Sequence, residues 1–214
     1  MAKRDRNPRI YVLAGINGAG KSSIIGAMFL EQGIEYFNPD EAARRIRSAN
    51  PGVTQNDANG AAWIVGKRLL ERAVHERSDF AFETTLGGRT ITALLVSALE
   101  SGIEVRVWYV GLRSVQLHID RVKARVARGG HNIPSEMIRK RYDSSRYNLV
   151  QLLPKLTELR VFDNSAEADP HAGLAPVPKL LLRVDRGVVG SMCDLKTAPH
   201  WAKPILMEAM KLEK

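Results

Sequence analysis

Residues Arg9–Ser23 read "RIYVLAGINGAGKSS". "RIYVLAG" is a short apolar, β-branched run that ends in glycine, the pattern of a buried strand. Gly15-Ile16-Asn17-Gly18-Ala19-Gly20-Lys21-Ser22 then matches G-x-x-x-x-G-K-[ST]. Glycines at this spacing let the backbone fold round a phosphate and aim several N–H groups at it. The segment from Lys21 to Gly33 reads as a helix, so its positive dipole end faces the same anion. Lys21 reaches the β- and γ-phosphates of a nucleoside triphosphate, and the Ser22 hydroxyl is a ligand for Mg²⁺. Strand, glycine loop and helix in this order are what separates a phosphate cradle from a flexible turn. A dinucleotide loop fits less well, because its fingerprint has no lysine at the helix start.

Outward from the loop, strands and helices alternate. Ile34–Asn38 reads as a second strand broken by Pro39, and Asp40–Asn50 as a helix with an acidic first turn and basic later residues. Pro51–Gly60 is dense in turn residues and reads as a loop. Ala62, Val65, Leu69 and Ala73 then recur at helical spacing. "DFAFETT" (79–85) is a third strand, Gly87–Gly102 a helix, and "EVRVWYVGL" (104–112) a fourth strand. Ser114–Gly130 reads as a helix capped by Ser114, Pro134–Leu153 as another, and "LRVFDNS" (159–165) as a fifth strand. Five alternations predict an α/β fold: a mainly parallel sheet of five or more strands flanked by helices, of the kinase-type P-loop NTPase class. The texture changes near Ala166. Residues 1–165 are read as the core and 166–214 as a short C-terminal appendage. In the latter, "SAEADPHAGLAPVP" is a linker, "KLLLRVDRGVV" a strand pair turning near Asp185–Gly187, and the segment around Pro204 a terminal helix.

The bulk composition narrows the function classes. With 214 residues and 44% hydrophobic residues, the chain can bury a core without staples. Its one cysteine, Cys193, allows no internal disulfide, which suits a reducing compartment. No apolar run approaches the ~20 residues of a membrane span, so the cytoplasm is the expected location. The net charge of +9 attracts polyanions. Aromatics at 6% without a basic-aromatic patch argue against nucleic acid without removing it. Five scattered histidines and one cysteine offer no thiolate or imidazole metal site. A GTPase is disfavoured, since N-K-x-D is missing and no D-x-x-G follows a strand.

Three further segments lie where a phosphate acceptor would be held. Asp40, in "YFNPDEAARRI", stands at a strand end and a helix start. It is either a helix cap or the base that takes a proton from an attacking hydroxyl. Glu83, Thr84 and Thr85 end the third strand on the same sheet edge, with Arg89 following after a glycine turn. His118, Arg121, Arg125 and Arg128 share one face of the 114–130 helix. That stripe is either a solvated face or a lid that closes on phosphate through its guanidinium forks. His131, beyond the Gly129-Gly130 hinge, is read as structural or solvent-exposed rather than catalytic.

The ordered strings "AGINGAGKSS", "FNPDEAA", "FETTL", "YVGLRS", "RVKARVARGGHNIP", "RY", "NL" and "FDNS" resemble the zeta toxin family of P-loop kinases, in its short UDP-N-acetylglucosamine kinase branch. The resemblance runs from Arg9 to Ser165. It implies transfer of the ATP γ-phosphate to the sugar 3′-hydroxyl of a UDP-N-acetyl sugar, with Mg²⁺. By motif, Asp40 matches the catalytic base, Lys21 the loop lysine and Arg121 the first lid arginine. Arg128 is taken as the second lid arginine, with Arg125 as the alternative and as an ATP contact. Gly15, Asn17, Gly18, Ala19, Gly20, Lys21, Ser22 and Ser23 are the remaining candidate ATP contacts. Asp40, Glu83, Thr84, Thr85 and Arg89 are the candidate acceptor contacts. Longer members of the family work with a separate antitoxin that covers the nucleotide site. A nucleic-acid-associated P-loop ATPase or polynucleotide kinase is the alternative that the basic charge keeps open.

Overall fold

The strand leading into the glycine loop, β1 (Arg9–Ala14), lies inside a six-stranded sheet. The fold comes from a computed structural model that describes residues 6–22, 26–166 and 177–213. Ser23 lies outside the described residues, as does residues 167–176 of the predicted linker. β2 (Phe80–Thr84) and β3 (Glu104–Gly111) flank β1, both parallel to it. β4 (Glu158–Asp163) runs parallel to β3. The connection from β1 to β2 carries α1 (Gly26–Glu31), α2 (Pro39–Ala49) and α3 (Gln55–His75). α4 (Arg89–Glu100) joins β2 to β3, and α5 (Val115–Ala127) and α6 (Ser135–Leu152) join β3 to β4. β1 connects to β2 on one side, whereas its neighbour on the other side, β3, connects away from it to β4. The end of β1 is therefore a topological switch point, where open α/β sheets bind ligands.

The predicted parallel sheet is present, with two differences. Ile34–Asn38 forms no full strand: only Phe37 bridges to Phe82. Ile34 and Tyr36 pack instead against the Phe29 cluster, and Asn38 turns to cap α2. The predicted loop at Pro51–Gly60 is also shorter. Thr54 accepts a bond from the Asp57 N–H, and this cap lets α3 begin at Gln55. The strand pair after the linker forms β5 (Lys179–Asp185) and β6 (Val188–Met192), turning at Arg186 and Gly187. Both extend the central sheet antiparallel beyond β4.

One large core cluster fills the face of the sheet under α3, α4 and α6. The last helix, α7 (Lys203–Ala209), joins it through Ile205, Leu206 and Ala209. Just before α7, Trp201 is 1% exposed and its indole N–H donates to Asp163 Oδ1 at 3.2 Å. A Cβ on Gly111 would sit 2.4 Å from the Trp201 ring, so glycine there makes room for the tail. The other face holds a smaller cluster in which Phe29 meets Trp108 edge-on at 4.9 Å. The parallel strands thus have apolar cover on both faces, as parallel sheets require. Their carboxyl ends all open on one edge.

Candidate active site

The glycine loop leaves β1 at Gly15, whose φ of 136° lies outside the range side chains tolerate. A Cβ there would stand 2.3 Å from Val110 O, and one on Gly18 2.6 Å from His118 O. Those two glycines let the loop sit directly on β3 and α5. Gly20 also has a positive φ, 86°. Ala19 is fully buried; its N–H donates to Ile16 O, and its carbonyl accepts from Asn164 Nδ2 at 2.8 Å. Asn17 is held twice. Its side-chain Oδ1 accepts from Arg141 Nη1 at 2.8 Å, and His118 Nδ1 lies 2.9 Å from its carbonyl.

A carbonyl only accepts, so His118 carries its proton on Nδ1. Burial pushes the His118 pKa down to about 3; the bond to Asn17 opposes this, and the Lys21 and Arg121 charges assist it. His118 is therefore neutral, and the predicted cationic stripe of α5 loses its first member. The unfolded chain protonates this residue near 6.5. Between those values the unfolded state binds more protons, so stability falls as pH falls. The loss from His118 alone should reach about 2 kcal/mol between pH 7 and pH 5. Denaturant titrations at the two pH values should show a shallower loss in His118→Gln by that amount. Equal losses in the variant and the parent would overturn this account.

Lys21 and Glu83 form a buried pair at 3.4 Å, with exposures of 6% and 8%. Ser22 Oγ donates to Glu83 Oε2 at 2.6 Å, and Asn38 Nδ2 donates to the same oxygen at 3.2 Å. The end of β1 and the end of β2 are thus joined through one carboxylate. A hydroxyl and a carboxylate in contact are hard oxygen donors. Mg²⁺ is held by one or two such groups plus phosphate oxygens and water, so these residues fit it.

A cleft of about 840 Å³ opens beside this cluster. Lys21, Asp40, Glu83, Thr84 and Thr85 all line it. Asp40 does not cap α2. Asn38 does so, its Oδ1 accepting from the Asp40 and Glu41 N–H groups. The Asp40 carboxylate is left to face the cleft, with Arg125 Nη1 at 3.7 Å and His131 Nε2 at 4.0 Å. Arg125, not Arg128, is the arginine brought to Asp40. Arg128 is exposed and donates back to Ala124 O in the last turn of α5. The Gly129-Gly130 turn ends α5 before Arg128 and leaves it on the outer side. Arg121 Nη2 donates to Ala166 O, beyond the end of β4. Arg89 is exposed at the start of α4 and does not line the cleft.

Several residues escaped the sequence reading. His131, expected to be structural or solvent-exposed, lines the cleft. Arg141 also lines it, and burial lowers its pKa against the raising effect of Asp40; it remains a cation. Its signal was the "RY" string of α6. α3 adds Asn59 and Trp63 to the lining, the latter 46% exposed. A helical period alone gives no sign that a tryptophan lines a cleft.

The comparisons bear on the fold and the family. An uncharacterised protein of Haemophilus influenzae is 33% identical over 129 residues, 60% of this chain and 88% of that protein. A chain of AvrRxo1-ORF1:-ORF2 crystallised with ATP aligns with a TM-score of 0.65 at 14% identity, over 96% of this chain and 64% of that one. This chain therefore spans less than two thirds of that relative's length. The PezAT toxin-antitoxin system of Streptococcus pneumoniae aligns with a TM-score of 0.52 at 13% identity, over 76% of this chain and 70% of that one. Identities this low show a shared fold. The sequence model of the zeta toxin family matches residues 1–171, and on that match, with the loop and cleft where the motifs require them, the chain belongs to the zeta toxin family of P-loop kinases.

Proposed function

We propose that this protein transfers the γ-phosphoryl group of ATP to a hydroxyl of a small molecule held in the cleft, with the sugar 3′-OH of UDP-N-acetylglucosamine as the acceptor. The observation that carries the reading is the position of Asp40. It is an acid relieved of capping by Asn38 and placed in the same cleft as Lys21 and the β2 end. In the reaction the acceptor oxygen bonds to the γ-phosphorus as the bond to the β,γ-bridging oxygen breaks. Asp40 takes the hydroxyl proton and ADP leaves. Lys21 and Arg125 stabilise the charge on the transferring group, and Arg121 closes the lid side. Ser22, with Glu83 beside it, would hold Mg²⁺, which would supply positive charge against the phosphate oxygens.

The cleft's lining supports an acceptor of this type. Trp63 offers a flat apolar face for a base, Gln55 and Asn59 offer amides for hydroxyl or N-acetyl groups, and Lys140 and Arg141 offer charge for a diphosphate. No comparison favours the nucleic-acid alternative. Among the described residues no helix is long and apolar enough to cross a membrane. The use of ATP supports the cytoplasm as the proposed site of action. A partner protein that covers the nucleotide side is part of the same proposal.

The test is incubation with Mg-ATP and a panel of UDP-sugars, nucleosides and oligonucleotides, read by mass spectrometry. UDP-N-acetylglucosamine should gain one phosphoryl group as ADP appears. If ATP binds and no UDP-sugar gains one, the acceptor assignment is wrong.

A further inference from the structure

α6 holds both halves of the site with polar side chains from one face. Arg141 Nη1 donates to Asn17 Oδ1 of the glycine loop at 2.8 Å. Ser145 Oγ donates to Thr85 O at 2.6 Å, and Asn148 Nδ2 donates to Leu86 O at 2.8 Å. Residues 141, 145 and 148 follow at helical spacing and span about 10 Å of the helix. Ser145 spends its proton on Thr85, so the Tyr109 hydroxyl, 3.1 Å away, is the donor to Ser145 Oγ. The turn held in this way is strained. Leu86 has φ 52° and is fully buried, and its N–H is met by Thr84 Oγ1 at 3.1 Å. A side-chain-bearing residue keeps that conformation only where its surroundings over-determine it.

Apolar packing alone would suffice to dock a helix on a sheet. Hydrogen bonds that end on the loop asparagine and on the two carbonyls of the acceptor turn do something more specific. We propose that α6 is a spacer that sets the distance from the phosphate loop to the acceptor turn, with Asn148 a positioning residue at the acceptor end and Arg141 its counterpart at the donor end. The proposal rests on the kinase reading. Asn148 does not line the cleft, so any effect of changing it passes through Leu86 and the turn.

Asn148→Asp keeps the side chain's shape and removes the donor. In the full chain with Mg-ATP and UDP-N-acetylglucosamine, the ratio of phosphoryl transfer to ATP hydrolysis should fall about tenfold or more, because a displacement near 1 Å is enough to misalign attack. Amide exchange at residues 84–88 should quicken about tenfold, while residues 15–22 keep their protection. Asn148→Ala should repeat both effects if the aspartate variant does not fold. An unchanged ratio in a variant whose parent transfers phosphate overturns the spacer. If the parent transfers nothing, that acceptor reading fails instead. The exchange measurement then decides alone, and unaltered exchange at 84–88 overturns the proposal.

Discussion

Asp40→Asn should lower phosphoryl transfer by about 10²–10⁴-fold, because in the proposed reaction the cleft loses the group that takes the acceptor's proton. The structure gives this substitution unusual clarity. Asn38 caps α2, so the helix keeps its N-terminal bonds when Asp40 becomes an amide. Asp40 is also partly exposed, with 43% of its side chain accessible, so the fold should lose no more than about 0.5 kcal/mol. Its contacts to Arg125 and His131 are long, 3.7 and 4.0 Å, and hold neither partner in the core. ATP affinity should stay close to that of the parent. A single-turnover assay with the acceptor, beside nucleotide binding and a thermal melt, separates the outcomes. Transfer that persists within a few-fold would remove Asp40 from the reaction.

Lys21→Ala should lower transfer by about 10²–10³-fold through lost stabilisation of phosphate charge. Here stability falls too. The substitution leaves Glu83 buried without its cation. Ser22 and Asn38 still donate to that carboxylate, so the cost should be about 1–3 kcal/mol, less than for a pair with no other partners. The double variant Lys21→Ala/Glu83→Gln should regain much of the lost stability and none of the activity. Lys21→Arg should not rescue transfer, because a planar fork does not fit a hole built for a point charge. If the double variant is no more stable than Lys21→Ala, the buried-charge account is wrong.

Much of the donor side was legible before any coordinates. The strand, the glycine spacing, the lysine and the helix are contiguous, and their meaning depends on local geometry. Glu83 and Thr85 were legible as strand-end residues, because parallel strands bring such ends to one edge; Asp40 was reached through a predicted strand that forms only the Phe37–Phe82 bridge. What was not legible depended on which way a side chain turns. Arg125 and Arg128 lie three residues apart on one helix, and only the place where α5 stops decides which reaches Asp40. Asn38 and Asp40 compete for one cap, and the winner depends on the backbone turn at Pro39. His118 reads as a cation in sequence but is neutral once buried against Asn17. Ile34–Asn38 reads as a strand by composition, yet its side chains are used to cover Phe29. Arg141 and Asn148 stand in the strings "RY" and "NL", but what they and Ser145 hold was hidden, because their partners are backbone and loop atoms far away in sequence.

The shared carboxylate of Glu83 has a consequence for what the loop will accept. Lys21 and Ser22 both answer to it. A ligand that draws the ammonium away must leave something positive behind, or an anion is stranded at 8% exposure. Bare phosphate brings nothing positive and should bind poorly. A nucleotide that arrives with its own divalent cation repairs the imbalance as it creates it. Discrimination at this loop should then be a matter of charge parity, with polyphosphate bound better beside a divalent cation than alone.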